Sequence, residues 1–165
     1  KAVETIVRIE NRDNKNSSSR EQIVREKIIT PFISTLGWDV MGKQVAIEYG
    51  TGTNDYVDYQ LLIDNEPVVC VEAKRLGKRI RQTKEPPEGS KKTPPVRQLK
   101  GYMRTTGSEY GIVTNGEYYR IYKSVDADGE PDEAVIMDAE IQDLSNNLGS
   151  LSLISRDNFQ MANGD

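Results

Sequence analysis

Between Tyr56 and Lys74 the chain carries two carboxylates and an ammonium at a spacing that could do chemistry. Two strand-like runs flank a turn at Asp64-Asn65-Glu66; the first holds Asp58 and the second ends in Glu72-Ala73-Lys74. Reflecting a hairpin about Asn65 puts Asp58 roughly opposite Glu72, and strand alternation puts Lys74 on the same face as Glu72. Such a cluster suits a hard divalent cation and an activated water. An Asp58–Lys74 or Glu72–Lys74 salt bridge at a sheet edge is the competing, purely structural reading, and spacing alone does not choose between them. The flanking residues make the charges unusual. Val57, Tyr59, Leu61 and Ile63 alternate with Asp58, Gln60 and Leu62, while Val68 to Val71 is continuously apolar. A continuous run of that kind reads as a strand buried on both faces. A charge at the end of such a strand is costly unless it is paired or bound to a metal.

Composition narrows the chemistry. At 165 residues the chain is long enough for one domain with its own core. The pattern divides it into an N-terminal helix and loop over 1–17, a core over 18–123 and a C-terminal extension over 124–165. No apolar run has bilayer-spanning length and no secretory signal is visible, so a cytoplasmic location is expected. Histidine is absent, which removes serine–histidine and cysteine–histidine hydrolysis, histidine-dependent nucleases and histidine-containing zinc sites. The lone Cys70 lies in an apolar run and reads as a small core residue. A metal here must therefore be held by oxygen ligands, with magnesium, manganese or calcium as candidates.

Net charge is −4, yet its distribution is uneven. From Lys74 to Arg104 there are eleven basic residues against only Glu85 and Glu88, a local +9. A basic segment directly after a carboxylate cluster suits a polyanion whose phosphate is delivered to a metal. The bland alternative is a solvated loop.

These charges need elements to position them. Residues 2–10 carry a weak helical pattern in Val3, Ile6 and Val7, and Asn11 to Ser19 reads as loop. Ser18 and Glu21 fit a capping box opening a helix that runs to about Leu36, with Gly37 as terminator. Val24, Ile28, Phe32 and Leu36 mark its buried stripe, and Pro31 should kink or divide it. Lys43 to Tyr49 alternates as a strand. After Lys74 comes a long irregular stretch with Pro86-Pro87, Gly89 and Pro94-Pro95, expected to be a functional or disordered loop. Thr93 can cap a helix with Pro94 at its first position, running to about Thr105 before Gly107. Tyr110–Thr114 and Tyr118–Tyr122 read as strands joined through Asn115-Gly116, the strongest hairpin signal in the chain. Asp126 to Glu133 reads as an acidic turn region, Ala134 to Met137 as a short strand, and Ile141 to Leu153 as a weak amphipathic helix. The fold class expected from this order is α/β, a core around a mixed sheet.

Taken together, Glu21-x-x-x-Arg25, Ile29-x-Pro31, Leu36-Gly37-Trp38-Asp39, Asp58-Tyr59, Glu72-Ala73-Lys74-Arg75, Gln98-x-x-x-Tyr102 and Thr114-Asn115-Gly116 resemble the PD-(D/E)xK nuclease superfamily. The nearest resemblance is to the N-terminal nuclease domain of type I restriction enzyme R subunits and related restriction endonuclease-like proteins, over about Glu21 to Tyr122. One departure is that Val57, not proline, precedes Asp58. The resemblance implies a restriction endonuclease-like core and a Mg2+-dependent DNA endonuclease, with Mn2+ able to substitute. Asp58 and Glu72 would ligate the metal with the Ala73 carbonyl assisting, Lys74 would polarise the attacking water, and Glu21 would be the helical acid near the metal, reaching it through water. Gln98 and Tyr102 match the family's QxxxY motif and share a helix face. Phosphate contacts are expected from Arg75, Lys78, Arg79, Arg81, Lys84, Lys91, Lys92 and Arg97. No Walker-type GxxxxGK[ST] occurs in the chain, so either a domain excised from a larger motor protein or a stand-alone relative is implied. DNA is the expected partner, with motor and specificity or modification subunits if the domain works in a type I complex, and no membrane. The alternative is a non-catalytic nucleic-acid-binding or assembly module on the same fold.

Overall fold

A computed structural model of the chain describes residues 17–50, 56–80, 93–127 and 130–162. The expected helix over 2–10 lies outside them. The first helical stretch has three parts: helix α1 (Ser17–Val24), a π turn (Arg25–Ile29) and helix α2 (Thr30–Thr35). The helix begins at Ser17, so Ser18 lies inside it and not at the cap, and the side chains of 17–20 are outside the described residues. Pro31 does not break the helix. It lacks an N–H and its ring crowds the carbonyl four residues back. The stretch accommodates it by looping out one residue, with the Thr30 N–H bonded to the Arg25 carbonyl. That extra residue shifts the buried stripe by one position. Val24 and Ile28 are buried as expected, but below the π turn the core takes Ile29 and Ile33, leaving Phe32 and Leu36 only partly covered.

Six strands form one sheet in the order of the sequence: β1 (Val45–Gly50), β2 (Tyr56–Ile63), β3 (Glu66–Ala73), β4 (Tyr110–Thr114), β5 (Tyr118–Ala127) and β6 (Glu130–Glu140). All neighbours are antiparallel except β3 and β4, which are parallel. The parallel step needs a crossover, and helix α3 (Pro95–Thr106) lies within it. The fold is α/β with a mixed sheet flanked by helices, as a restriction endonuclease-like core requires. Several boundaries differ from expectation. Pro94 sits at the helix cap and Pro95 opens α3, with no side-chain cap bond. β5 and β6 continue through most of the stretch expected to be an acidic turn. The chain after Glu140 forms a 3-10 turn (Ile141–Asn147) and two short helices, α4 (Leu148–Leu153) and α5 (Arg156–Ala162).

The sheet has two covered sides. One buries Val24, Ile29 and Ile33 with Trp38, Tyr59, Val71, Ile112, Tyr119, Ile121, Ile154 and Phe159. The other packs α3 through Val96, Leu99, Tyr102 and Met103 against Val57, Cys70, Val113 and Tyr122. Gly111 lets α3 approach β4 this closely, since a Cβ there would stand within 3.1 Å of Leu99 and nearer still to Met103.

The β2–β3 turn decides what meets at its open end. Asp64 and Asn65 both have positive φ, 51° and 70°, so the loop is a two-residue turn of the type that asparagine and aspartate tolerate. Ile63 pairs with Glu66 and Leu62 with Pro67. Continued without interruption, that register would set Asp58 against Val71. A bulge between Leu61 and Leu62 moves it by one, to Leu61–Val69, Gln60–Cys70 and Tyr59–Val71. The next pair is then Asp58 with Glu72. A one-residue slip exchanges the two faces of a strand, so the bulge sets which side chains share the end of the hairpin.

Candidate active site

Asp58, Glu72 and Lys74 stand together where β2 begins and β3 ends. The Asp58 carboxylate accepts the Ala73 backbone N–H at 2.7 Å and a guanidinium N–H of Arg25 at 3.2 Å. Glu72 is ion-paired with the Lys74 ammonium, and its side chain is only 1% exposed. Lys74 continues the parallel ladder by donating its own N–H to the Thr114 carbonyl at 2.8 Å, which fixes the backbone from which the ammonium projects.

This cluster holds more negative charge than its surroundings neutralise. Burial pushes the Glu72 carboxyl up to about 8, against the pull of Lys74 and with help from the charges of Asp58 and Glu21. Burial also raises Asp58, opposed by the Ala73 N–H, Lys74 and Arg25. Burial alone would lower Lys74, but Glu72, Glu21 and Asp58 hold it above its ordinary value, so the ammonium stays charged. The Lys74 ammonium abuts Glu72 Oε1 directly and bonds to it. Further along the hairpin, Gln60 is 2% exposed and sets its side chain against the Cys70 thiol.

Glu21 is half-buried one helical turn before Arg25, in a groove of about 480 Å³ lined also by Thr30, Ile47, Glu48 and Tyr59. Its charge is felt at Asp58, Glu72 and Lys74. Among the described residues no three acidic side chains stand close enough to form a ready cation cage. Two carboxylates with a backbone carbonyl nonetheless fit Mg2+, which keeps several waters and commonly takes only one or two carboxylates from the protein. The donor set is all oxygen, and a cation would offset the like charges of Asp58, Glu72 and Glu21 that gather there.

Gln98 and Tyr102 lie together on α3, the amide Nε2 donating to the phenol at 2.6 Å. Tyr102 is 4% exposed within the α3 layer, which leaves it little surface for DNA. Of the expected phosphate contacts, Arg79 and Arg97 are exposed and Arg75 and Lys78 partly so. Arg81, Lys84, Lys91 and Lys92 lie outside the described residues. The chain leaving Lys74 is anchored to the β4–β5 turn: Asn115 donates to the Lys78 carbonyl at 3.0 Å, and Glu117 accepts the Gly77 N–H at 3.0 Å. Gly116 makes that turn possible, with φ of +87° and a Cβ position only 3.1 Å from Val24 and Ile28. Lys78, Arg79, Ile80 and Tyr118 line a second cavity there, about 410 Å³. Part of the basic segment's charge faces inward instead: Lys100 and Arg104 hold the buried Glu133 of β6 at 3.0 and 2.9 Å.

Arg25, at this site, carries no role from sequence reasoning, although its i+4 spacing from Glu21 signals it.

No curated protein and no solved structure matches the chain. The family model of the type I restriction enzyme R protein N terminus matches residues 41–130, more than half of the chain. That span includes Asp58, Glu72, Lys74, Gln98 and Tyr102 and leaves out the helical stretch with Glu21 and Arg25. No helix among the described residues is long and apolar enough to cross a membrane. The chain belongs to the family of type I restriction enzyme R protein N termini.

Proposed function

We propose that this domain is a metal-dependent DNA endonuclease, the nuclease module of a type I restriction R protein or a related restriction system, working in the cytoplasm with motor and specificity or modification subunits. The observation that carries the reading is the meeting of Asp58, Glu72 and Lys74 at one end of the hairpin, with Glu72 only 1% exposed among the like charges of Asp58 and Glu21. Asp58, Glu72 and the Ala73 carbonyl would hold Mg2+ or Mn2+, Glu21 reaching it through water; the bound ion would supply positive charge for the phosphate oxygens and acidify water.

The chain's own residues do the rest. Lys74, charged and fixed on Glu72, orients and polarises the water that attacks phosphorus, while the 3′-oxygen leaves. Arg75, Lys78, Arg79 and Arg97, with Arg81, Lys84, Lys91 and Lys92, hold backbone phosphates and so set position without reading sequence. Gln98 and Tyr102 act as one hydrogen-bonded unit that fixes α3 over the strand ends. The test is incubation with supercoiled plasmid, with and without Mg2+ or Mn2+, beside Lys74→Ala. Cleavage that requires the ion and Lys74 supports the reading; cleavage by a folded Lys74→Ala protein refutes it.

A further inference from the structure

Arg25 sits where two unusual pieces of backbone converge. It opens the π turn, a feature that commonly marks functional sites. In β1, Glu48 lies between the pairs Ile47–Tyr59 and Tyr49–Val57 and so stands opposite Asp58, yet its φ is +51°, a region that glutamate rarely adopts. The guanidinium splits its fork between these two acids: one nitrogen donates to Asp58 Oδ1 at 3.2 Å, the other to Glu48 Oε1 at 3.0 Å. It also lies over the Tyr59 ring at 5.7 Å. Neither bond is a bidentate grip, and the Glu48 side chain is 65% exposed, so that anchor is weak. The guanidinium borders the groove that holds Glu21, Thr30 and Ile47, within reach of a ligand arriving there. It therefore covers one of the two carboxylates that a divalent cation would need, and does so with exchangeable bonds.

We propose that Arg25 is a transferable counter-ion: it neutralises Asp58 until a divalent cation takes that carboxylate, and then turns its guanidinium to a DNA phosphate. The inference rests on the nuclease reading above. Two positive charges cannot share Asp58 without repulsion, so cation entry and the Arg25–Asp58 bond oppose each other, each weakening the other by the same factor. The released group is the side chain best shaped for phosphate.

The test uses the whole chain. Mn2+ alone is titrated calorimetrically into wild type, Arg25→Met and Arg25→Lys. Affinity for a duplex of arbitrary sequence is then measured against salt with Ca2+ present. Arg25→Met should bind Mn2+ about tenfold more tightly than wild type, as expected for loss of a partly buried competing charge. Arg25→Lys, which keeps charge but cannot bridge both acids, should fall between and carries the same test if the Met variant does not fold. Duplex affinity of Arg25→Met should fall, and its log–log salt slope should shrink by about 0.9. Equal or weaker Mn2+ binding in the folded variants overturns the counter-ion; an unchanged salt slope overturns the transfer to phosphate. If wild type itself shows no saturable Mn2+ binding, the nuclease reading fails first and this inference with it, a result distinct from either of the others.

Discussion

Two buried glutamates in this molecule meet cations in opposite ways. Glu133, on β6, has a side chain only 1% exposed and receives Lys100 at 3.0 Å and Arg104 at 2.9 and 3.2 Å, so both oxygens are met. Glu72, on β3, is buried to the same degree but has a single lysine, with the like charges of Asp58 and Glu21 acting on it. The first arrangement joins α3 to the far edge of the sheet and is complete as it stands. The second meets one cation among like charges. A fully satisfied buried carboxylate is structural, whereas one held by a single lysine beside other acids is where the proposed reading puts the metal.

The comparison breaks first on catalysis. Asp58→Asn, Glu72→Gln and Lys74→Ala should each lower plasmid cleavage by about a thousandfold or more with the fold retained, because a metal site and its water act as one unit. Glu133→Gln should leave the cleavage rate of the folded protein within a few-fold. A comparable loss of cleavage in folded Glu133→Gln would erase the distinction between the two glutamates.

Stability against pH comes next. Folded, Glu72 keeps its proton to about 8; unfolded, it releases it near 4.5. The folded state therefore holds the extra proton between those values. The resulting stability is full below about 4.5 and is lost as pH rises toward 8, on the order of 5 kcal/mol over the window. Glu72→Gln, which mimics the protonated acid, should flatten this slope in denaturant melts at several pH values and be the more stable protein at pH 8. Glu133→Gln should instead destabilise by about 2 kcal/mol, less than a wholly buried pair would because Lys100 and Arg104 can reach water.

The smallest effect belongs to the edge of the site. Glu21→Ala should reduce cleavage about tenfold, since Glu21 acts on the cluster across distance. If it alters only thermal stability, Glu21 serves its helix alone. Gln98→Ala and Tyr102→Ala separate on the same measurements: Tyr102, at 4% exposure, should cost stability as well as rate, whereas partly exposed Gln98 should cost mainly rate.

The sheet and its partners were legible because their signals are local. Asn115-Gly116 marks a hairpin, the apolar run through Val71 marks a central strand, and Gly37 and Gly107 close helices where expected, with φ of 88° and 70°. The meeting of Asp58 with Glu72 was read from a reflection about Asn65, but the turn is centred between Asp64 and Asn65, and the Leu61/Leu62 bulge supplies the missing step. No residue pattern announces that bulge. Nor does one announce the π turn, which moves the buried stripe from Phe32 to Ile33. The lengths of β5 and β6 escaped because polar strands at a sheet edge resemble turns in composition. The inward use of Lys100 and Arg104 escaped because their partner is 29 residues or more away along the chain.

The measurement that bears most directly on the central claim is thermal unfolding of wild type, Glu72→Gln and Glu133→Gln at pH 8 with and without Mg2+. A cation that binds the folded state at a hundred times its Kd adds about 2.7 kcal/mol. Mg2+ should stabilise wild type and Glu133→Gln by that order and leave Glu72→Gln unmoved. An equal gain in Glu72→Gln, or none in wild type, would contradict the account: the surplus charge at the end of β3 would then not be a cation site.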